Sequence, residues 1–265
     1  MRAPSKDPVI QWYPGHMAKA MRRLAQDVKL ADVTLEVVDA RVPRSGRNPA
    51  LVDAVGHKPR LVVLEREDLA DPRATAAWIE AFAAAGETAV AVNGKTQGTR
   101  GRLQTALKPF VSARGTLRTI VVGIPNAGKS TIINALARKN VARVEDRAGV
   151  TRTPQWFRAL DGVEVMDTAG ILVPKIDTPE AQWMLALTGA LPRERFDPED
   201  VVSRFCTWVV DKPGGAGVPT LEAFATERGF VRRGNILDTH NAARSFIKEF
   251  NDGGFGRMTL EWPAA

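Results

Sequence analysis

The sequence contains a single cysteine, Cys206, so an internal disulfide is excluded and a small buried side chain is expected there. No apolar run approaches the ~20 residues that a membrane-spanning helix needs. No internal repeat or long low-complexity segment is present. Residues 1–12 lack the apolar stretch typical of a secretory signal. We therefore expect a cytoplasmic protein without a membrane partner.

The 265 residues are enough for one large domain or two modest ones, and 44% hydrophobic and 25% charged residues are typical of a soluble globular protein. The net charge is +7 and the pI is about 9.8. This charge suits a polyanionic partner, with nucleic acid as the first candidate. Charge alone does not separate that reading from mere solubility or from adaptation to one anionic nucleotide.

Residues 123–131 read Gly-Ile-Pro-Asn-Ala-Gly-Lys-Ser-Thr, between an apolar run at 119–122 and helical spacing at 132–139. A strand, a glycine-bracketed loop, Lys-Ser and a helix form the phosphate-binding loop pattern. Its N–H groups and the new helix face phosphate oxygens. Lys129 is expected to reach the β and γ phosphates, and the Ser130 hydroxyl to bind Mg²⁺. The predicted nucleotide-binding residues of this loop are Pro125, Asn126, Ala127, Gly128, Lys129, Ser130 and Thr131.

Strands alternate with helices before this loop. The predicted strands cover 33–39, 60–64 and 88–92, and the predicted helices cover 18–30, 49–55, 72–85 and 98–113. This alternation predicts a doubly wound, mostly parallel α/β sheet. Because such sheets bind ligands at the carboxyl ends of their strands, the loops after Asp39, Leu64, Val92 and Val122 should converge on one nucleotide site.

After the phosphate loop, residues 155–160 and 163–167 predict a β-hairpin that ends in Asp167-Thr168-Ala169-Gly170. Asp167 is expected to hold Mg²⁺ through water, and the Gly170 N–H to meet the γ-phosphate, which makes the segment a switch. In the preceding loop Thr151 is a candidate Mg²⁺ ligand. Thr153 and a simple solvated turn are the alternatives.

Beyond residue 171 the composition changes, and apolar residues fall at helical spacing in 178–190, 197–210, 219–228 and 239–250. We predict a first domain over residues 1–176 and a small all-helical domain over residues 177–265.

A base-reading element is expected at the end of a strand, as Asn-Lys-x-Asp is in GTPases. Residues 61–64 end in Glu65-Arg66-Glu67-Asp68, with Asp68 in register for the Asp, and the next strand ends at Asn93-Gly94. The base loops therefore precede the phosphate loop, which is a circular permutation.

The chain resembles the circularly permuted bacterial GTPases of the RbgA/YlqF family. The similarity is densest in residues 11–20, 38–41, 47–49, 123–131, 167–171, 174–175, 187–190 and 255–257. It implies a permuted P-loop GTPase domain that hydrolyses GTP with Mg²⁺ and responds to K⁺. It also implies a cytoplasmic, monomeric assembly factor that binds the large ribosomal subunit and its rRNA, and not DNA.

The resemblance also suggests roles for three residues. Lys129 of the phosphate loop is one expected catalytic residue. His16 is the other, because Ile171 stands where many GTPases carry a water-orienting Gln. An imidazole can orient or deprotonate water near neutral pH; the alternative for His16 is a helix cap. Asn126 is the candidate K⁺ ligand, with a turn-forming Asn as the alternative.

The chain departs from the family pattern at Glu65-Arg66. An ionised Glu65 cannot donate a hydrogen bond and would face acceptors on guanine. Arg66 can stack on the base instead of the usual Lys. Asp68 can still accept from the N1–H and N2 groups of guanine. We therefore expect a guanine preference that is looser than usual, and a P-loop NTPase with relaxed base specificity is an alternative.

RNA contact is predicted for the loop that carries Arg41, Arg44 and Arg47, and for the first helix. Trp12 and Tyr13 are candidate stacking residues, with packing in the core as the alternative. Further basic residues are Arg228, Arg232, Arg233, Arg244, Lys248 and Arg257. One alternative function is an RNA-binding chaperone that uses nucleotide as a structural ligand. A small-molecule kinase is disfavoured, because no acceptor pocket or lid is apparent.

Overall fold

The computed structural model describes residues 14–111, 115–137, 156–168, 176, 178–212 and 215–264. For residues 14–20, 51, 52 and 216 it describes the backbone alone. Within these ranges, no helix combines the length and the apolar character needed to cross a membrane.

A six-stranded sheet forms the centre of the first part of the chain. Its strands are β1 (Val33–Asp39), β2 (Arg60–Glu65), β3 (Thr88–Val92), β4 (Leu117–Val122), β5 (Trp156–Leu160) and β6 (Val163–Asp167). The spatial order is β3-β2-β1-β4-β6-β5, and only the β5–β6 pair is antiparallel. Every residue of β1 is buried, as expected for a central strand covered on both faces. The predicted α/β sheet and the predicted hairpin are confirmed.

Helices cover both faces of the sheet. They are α1 (Pro14–Lys29), α2 (Pro49–Val55), α3 (Pro72–Ala84), α4 (Thr99–Leu107) and α5 (Lys129–Ala137). On α1, Leu24 and Val28 are one turn apart and pack in one cluster with Ile120 and Val122 of β4. The start of α3 is fixed by Asp71, whose carboxylate accepts from the first N–H groups of the helix.

The C-terminal region consists mainly of helices. They are α6 (Pro179–Leu187), α7 (Pro198–Val209), α8 (Leu221–Glu227) and α9 (Thr239–Asp252). Phe205, Phe224, Phe246 and Phe250 pack edge to face at their centre, with ring centroids 5.1–6.0 Å apart. A short hairpin of β7 (Val231–Arg232) and β8 (Ile236–Leu237) follows α8 and was not predicted.

The end of the chain returns to the sheet. The Met258 N–H donates to the Leu69 carbonyl at 2.9 Å, and the Leu260 N–H donates to the Arg41 carbonyl at 2.8 Å. One continuous apolar cluster joins the sheet to the C-terminal helices. The domain boundary between residues 176 and 177 stays a prediction.

The strand order places the site. The chain runs outward from β1 through β2 to β3, and then returns to the other side of β1 to form β4. The carboxyl ends of β1 and β4 therefore flank the point where the winding reverses, which is where open α/β sheets bind ligands.

Candidate nucleotide site

The phosphate loop joins the buried end of β4 to α5, which begins at Lys129. Gly128 has φ +98°, a conformation that favours glycine. A Cβ at this position would lie 2.8 Å from Oε2 of Glu65. The tight turn therefore needs Gly128, and it brings the loop directly against the base-reading segment.

Lys129 is 8% exposed, and its Nζ donates to the Ile124 carbonyl at 2.8 Å. Burial lowers the pKa of Lys129 to about 8, against the opposing effect of Asp167. Burial also raises the pKa of Asp167, against the effect of Lys129. An ammonium that burial disfavours gains from an anionic ligand, so this environment suits a phosphate group.

The predicted base-reading residues lie beside the phosphate loop. Arg66 has φ +62°, and its guanidinium donates to Asp39 at 2.6 Å and to the Asn126 carbonyl at 3.0 Å. Stacking of Arg66 on a base would require it to leave both partners, so its observed role is to brace the phosphate loop. Asp68 is exposed and Asn93 is half-buried, as contact with a ligand requires.

Glu65 is 2% exposed at the end of β2. The Gly94 N–H donates to its carboxyl group, and Arg66 and Asp39 lie close by. Burial raises the pKa of Glu65 to about 7, against the opposing effect of Arg66. Glu65 is therefore protonated much more readily than a glutamate in water, so its neutral form has to be considered beside the ionised one at neutral pH.

A buried ion-pair network that sequence reasoning missed lies behind the site. Arg41 is 1% exposed and donates from Nε and Nη2 to Asp39 at 2.9 and 2.8 Å. Its Nη2 also donates to Asn251 of α9 at 3.0 Å. Burial alone would raise the pKa of Asp39, but Arg41 and Arg66 outweigh it and hold that pKa far below its usual range.

The arginine loop after β1 therefore has a structural role. Burial of Arg41 within this network makes its predicted RNA contact wrong. Arg47 forms ion pairs with Glu36 at 2.7 Å and Glu87 at 2.8 Å, so it too is committed to the fold. Arg44 is exposed, although it lies over the ring of Trp78. Arg257, also predicted as an RNA contact, donates instead to backbone carbonyls of residues 67 and 70.

Several predicted site residues cannot be placed in this geometry. His16 lies in α1, where only the backbone is described. Other predicted residues fall outside the described residues: Trp12, Tyr13, Thr151, Thr153, Gly170 and Ile171. Among the described residues, the fold brings together the loops after β1, β2, β3 and β4, as the sequence predicted.

Comparison with known proteins identifies the family. A family model described as "50S ribosome-binding GTPase" matches residues 118–218. Ribosome biogenesis GTPase A of Bacillus licheniformis is 41% identical, covering 96% of this chain and 99% of the relative. The Bacillus cereus protein of the same name is 37% identical, covering 96% of this chain and 94% of the relative. The chain belongs to the ribosome biogenesis GTPase A family.

Solved structures of the family agree. A GNP-bound YlqF from Thermotoga maritima is 29% identical with a TM-score of 0.74, covering 92% of this chain and 98% of that one. A GDP-bound form is 30% identical with a TM-score of 0.73, covering 91% and 99%. The fold is that of a P-loop GTPase with a helical C-terminal region, and the protein is a P-loop GTP hydrolase that binds guanine nucleotide. The predicted family, fold and enzyme class are confirmed.

Proposed function

We propose that the protein is a GTP-driven assembly factor for the large ribosomal subunit, acting in the cytoplasm as a monomer. It binds pre-ribosomal RNA in the GTP state and leaves after hydrolysis. The names of its relatives and the description of the matching family model support this proposal.

The single observation that carries the proposal is the direct connection between the phosphate loop and the C-terminal helices. Asn126 donates to the Gly189 carbonyl just after α6, at 2.8 Å. Asn251 of α9 donates to the Leu187 carbonyl at 2.7 Å and accepts from Arg41. A change at the γ-phosphate therefore has a short bonded route to the helices that present the basic surface.

The C-terminal region supplies the charge for RNA. Its exposed basic residues include Arg228, Arg232, Arg233, Arg244 and Lys248. Arg228, Arg232 and Lys248 have carboxylate partners on the same surface. Arg233 and Arg244 are the phosphate contacts that we propose, and such contacts give a salt-dependent affinity.

The residues present suit Mg²⁺. Ser130 follows Lys129 at the start of α5. The carboxylate of Asp167 is buried and lies close enough to Lys129 for the ammonium to lower its pKa against the effect of burial. We propose that Ser130, Asp167 and Thr151 hold Mg²⁺, which when bound neutralises charge on the phosphates. We propose Asn126 as a K⁺ ligand. Hydrolysis by the wild type should then be faster in KCl than in NaCl, and Asn126→Ala should remove the difference.

We assign orientation of the attacking water to His16, since Ile171 cannot orient water. Lys129 and the loop amides stabilise charge on the γ-phosphate, and the Gly170 N–H contacts it. His16→Ala should slow subunit-stimulated hydrolysis while GTP binding is kept. Unchanged hydrolysis would make His16 a helix cap only.

The test is sedimentation with large ribosomal subunits in GTP analogue, in GDP and without nucleotide. The protein should co-sediment most strongly with the analogue, and Arg233→Ala combined with Arg244→Ala should weaken binding and its salt dependence. Arg73→Ala, an exposed arginine on α3, is the matched control. Equal co-sedimentation in all three conditions would contradict nucleotide-dependent binding.

Arg66 donates to Asp39 and to the Asn126 carbonyl, and these bonds keep it from stacking on a base. This observation favours one second candidate, an RNA-binding chaperone in which nucleotide is a structural ligand. Multiple-turnover hydrolysis with and without ribosomal subunits separates the two. The assembly GTPase turns over repeatedly and faster with subunits, whereas the chaperone does not.

A further inference from the structure

Glu65 lies between the two loops that face the nucleotide. A Cβ on Gly94 would meet its Oε1 at 3.3 Å, and a Cβ on Gly128 would meet its Oε2 at 2.8 Å. Oε1 is thus held beside the loop after β3, where the Gly94 N–H donates to the carboxyl group. Oε2 is directed at the phosphate loop. Both neighbours are glycines, so the carboxyl group lies against the backbone of the two loops that are predicted to face the nucleotide.

The Oε2 atom is buried, and among the described residues it has no hydrogen-bond partner. The nearest cationic atom is Nε of Arg66 at 3.4 Å, but that guanidinium makes its short bonds to Asp39 and to the Asn126 carbonyl. Asp39 also takes both nitrogens of Arg41. The two arginines therefore make their short bonds to Asp39, and Glu65 keeps only the longer ion pair with Arg66.

The other charged groups that face Glu65 are Asp39 on β1 and Asp68 in its own loop, and both favour its protonated form. The loop after β3 and the phosphate loop present Gly94 and Gly128 to it. Burial and the two carboxylates outweigh the opposing effects of Arg66 and of the Gly94 N–H, and they raise the pKa of Glu65 to about 7. A proton on Oε2 turns a buried acceptor without a hydrogen-bond partner into a donor at the phosphate loop.

We propose that Glu65 is a specificity-determining residue that works as a neutral carboxylic acid, donating from Oε2 to the acceptor edge of guanine. Guanine presents the acceptors N7 and O6 on that edge, whereas adenine replaces O6 by an amino donor. The protonated side chain therefore selects guanine, and the ionised one repels O6 and accepts from adenine. The inference rests on guanine-nucleotide binding alone and not on the ribosomal target.

The experiment measures dissociation constants of fluorescently labelled GDP and ADP at pH 6.5, 7.5 and 8.5. GDP and ADP carry the same phosphates, so titration of the phosphates or of Lys129 changes both dissociation constants by the same factor. The ratio of the two constants therefore reports on the base alone. In the wild type the preference for GDP should fall on the order of tenfold between pH 6.5 and 8.5, because the neutral fraction of an acid with a pKa near 7 falls by that order. Glu65→Gln, whose amide donates at every pH, should keep a constant preference.

Glu80→Gln is the matched control, because it removes the same charge from an exposed position on α3 and should behave as the wild type. A wild-type ratio that is constant with pH would overturn the proposal, even if Glu65→Gln does not fold. An equal fall in the wild type and in Glu65→Gln would also overturn it. Ribosomal subunits are absent from this measurement, so its outcome does not bear on the assembly role, which the sedimentation experiment tests separately.

Discussion

The side-chain amide of Asn126 donates to the backbone carbonyl of Gly189 at 2.8 Å, which ties the phosphate loop to the end of α6. The backbone of the same residue accepts from Arg66 at 3.0 Å. Asn126 thus joins three parts of the chain: the phosphate loop, the base-reading segment and the C-terminal helices. Its φ of +57° is one that Asn tolerates better than most residues.

Asn126→Asp should lower the free energy of unfolding by about 1–2 kcal/mol, because the replacement keeps the size but loses the donor to Gly189. Urea denaturation measures this difference. Asn235→Asp is the matched control, since Asn235 is exposed and has φ +60° in the β7–β8 hairpin. Equal losses in the two variants would show that the bond to Gly189 contributes no stability.

Lys129→Ala should reduce GTP turnover by about 100-fold or more, because a preorganised cationic donor to the phosphates is lost. Phosphate release under multiple-turnover conditions is the measurement. Lys212→Ala, an exposed lysine over the ring of Trp208, removes the same charge and should turn over like the wild type. Unchanged turnover in Lys129→Ala would remove the phosphate loop from the mechanism.

Asp39→Asn should cost about 3–5 kcal/mol of stability, because it leaves the buried guanidinium of Arg41 without its carboxylate. Chemical denaturation should show this loss together with weaker GDP binding, since Arg66 loses its anchor as well. Lys248→Ala, which breaks an exposed ion pair with Asp252, should cost far less stability, because solvent screens that pair. Similar costs in the two variants would argue against a structural role for the network.

The pH dependence of stability offers a separate test of Glu65. Its pKa is raised from 4.5 to about 7 in the folded protein, so the folded chain binds more protons than the unfolded chain in that window. The free energy of unfolding should therefore fall as the pH rises from about 4.5 to 7. Glu65→Gln should be more stable than the wild type by roughly 2–3 kcal/mol at pH 8, relative to their difference at pH 4.5.

Denaturation at the two pH values measures this term without any nucleotide. A stability difference between Glu65→Gln and wild type that stays constant from pH 4.5 to 8 would mean that Glu65 is ionised in the fold as it is in the unfolded chain.

Local patterns predicted most of the fold. The strands Val33–Asp39 and Thr88–Val92 and the helix Pro49–Val55 have the predicted bounds, because apolar continuity and turn residues lie within each segment. The β7–β8 hairpin was missed, since two-residue strands with mostly exposed side chains leave no apolar alternation to detect.

The partners of site residues were much less predictable. Arg41 contacts Asn251 across 210 positions of sequence, and no local pattern reports such a pairing. An arginine-rich loop favours an RNA surface until the acidic partners of Arg41 and Arg47 are known. The same holds for Glu65, since its protonation depends on burial and on Asp39, which is opposite it in the β1–β2 register.

The return of residues 258–260 to the loops after β1 and β2 sets an order for folding during synthesis. Strands β1 to β3 come from one continuous stretch and can pair as soon as they emerge, since domains fold from the N-terminus as the chain is made. The carbonyls of Arg41 and Leu69, however, receive their partners from Leu260 and Met258, near the end of the chain. The native state is therefore completed only after residues 258–260 have left the ribosome, and a ribosome stalled before that point would hold the protein with these contacts still unmade.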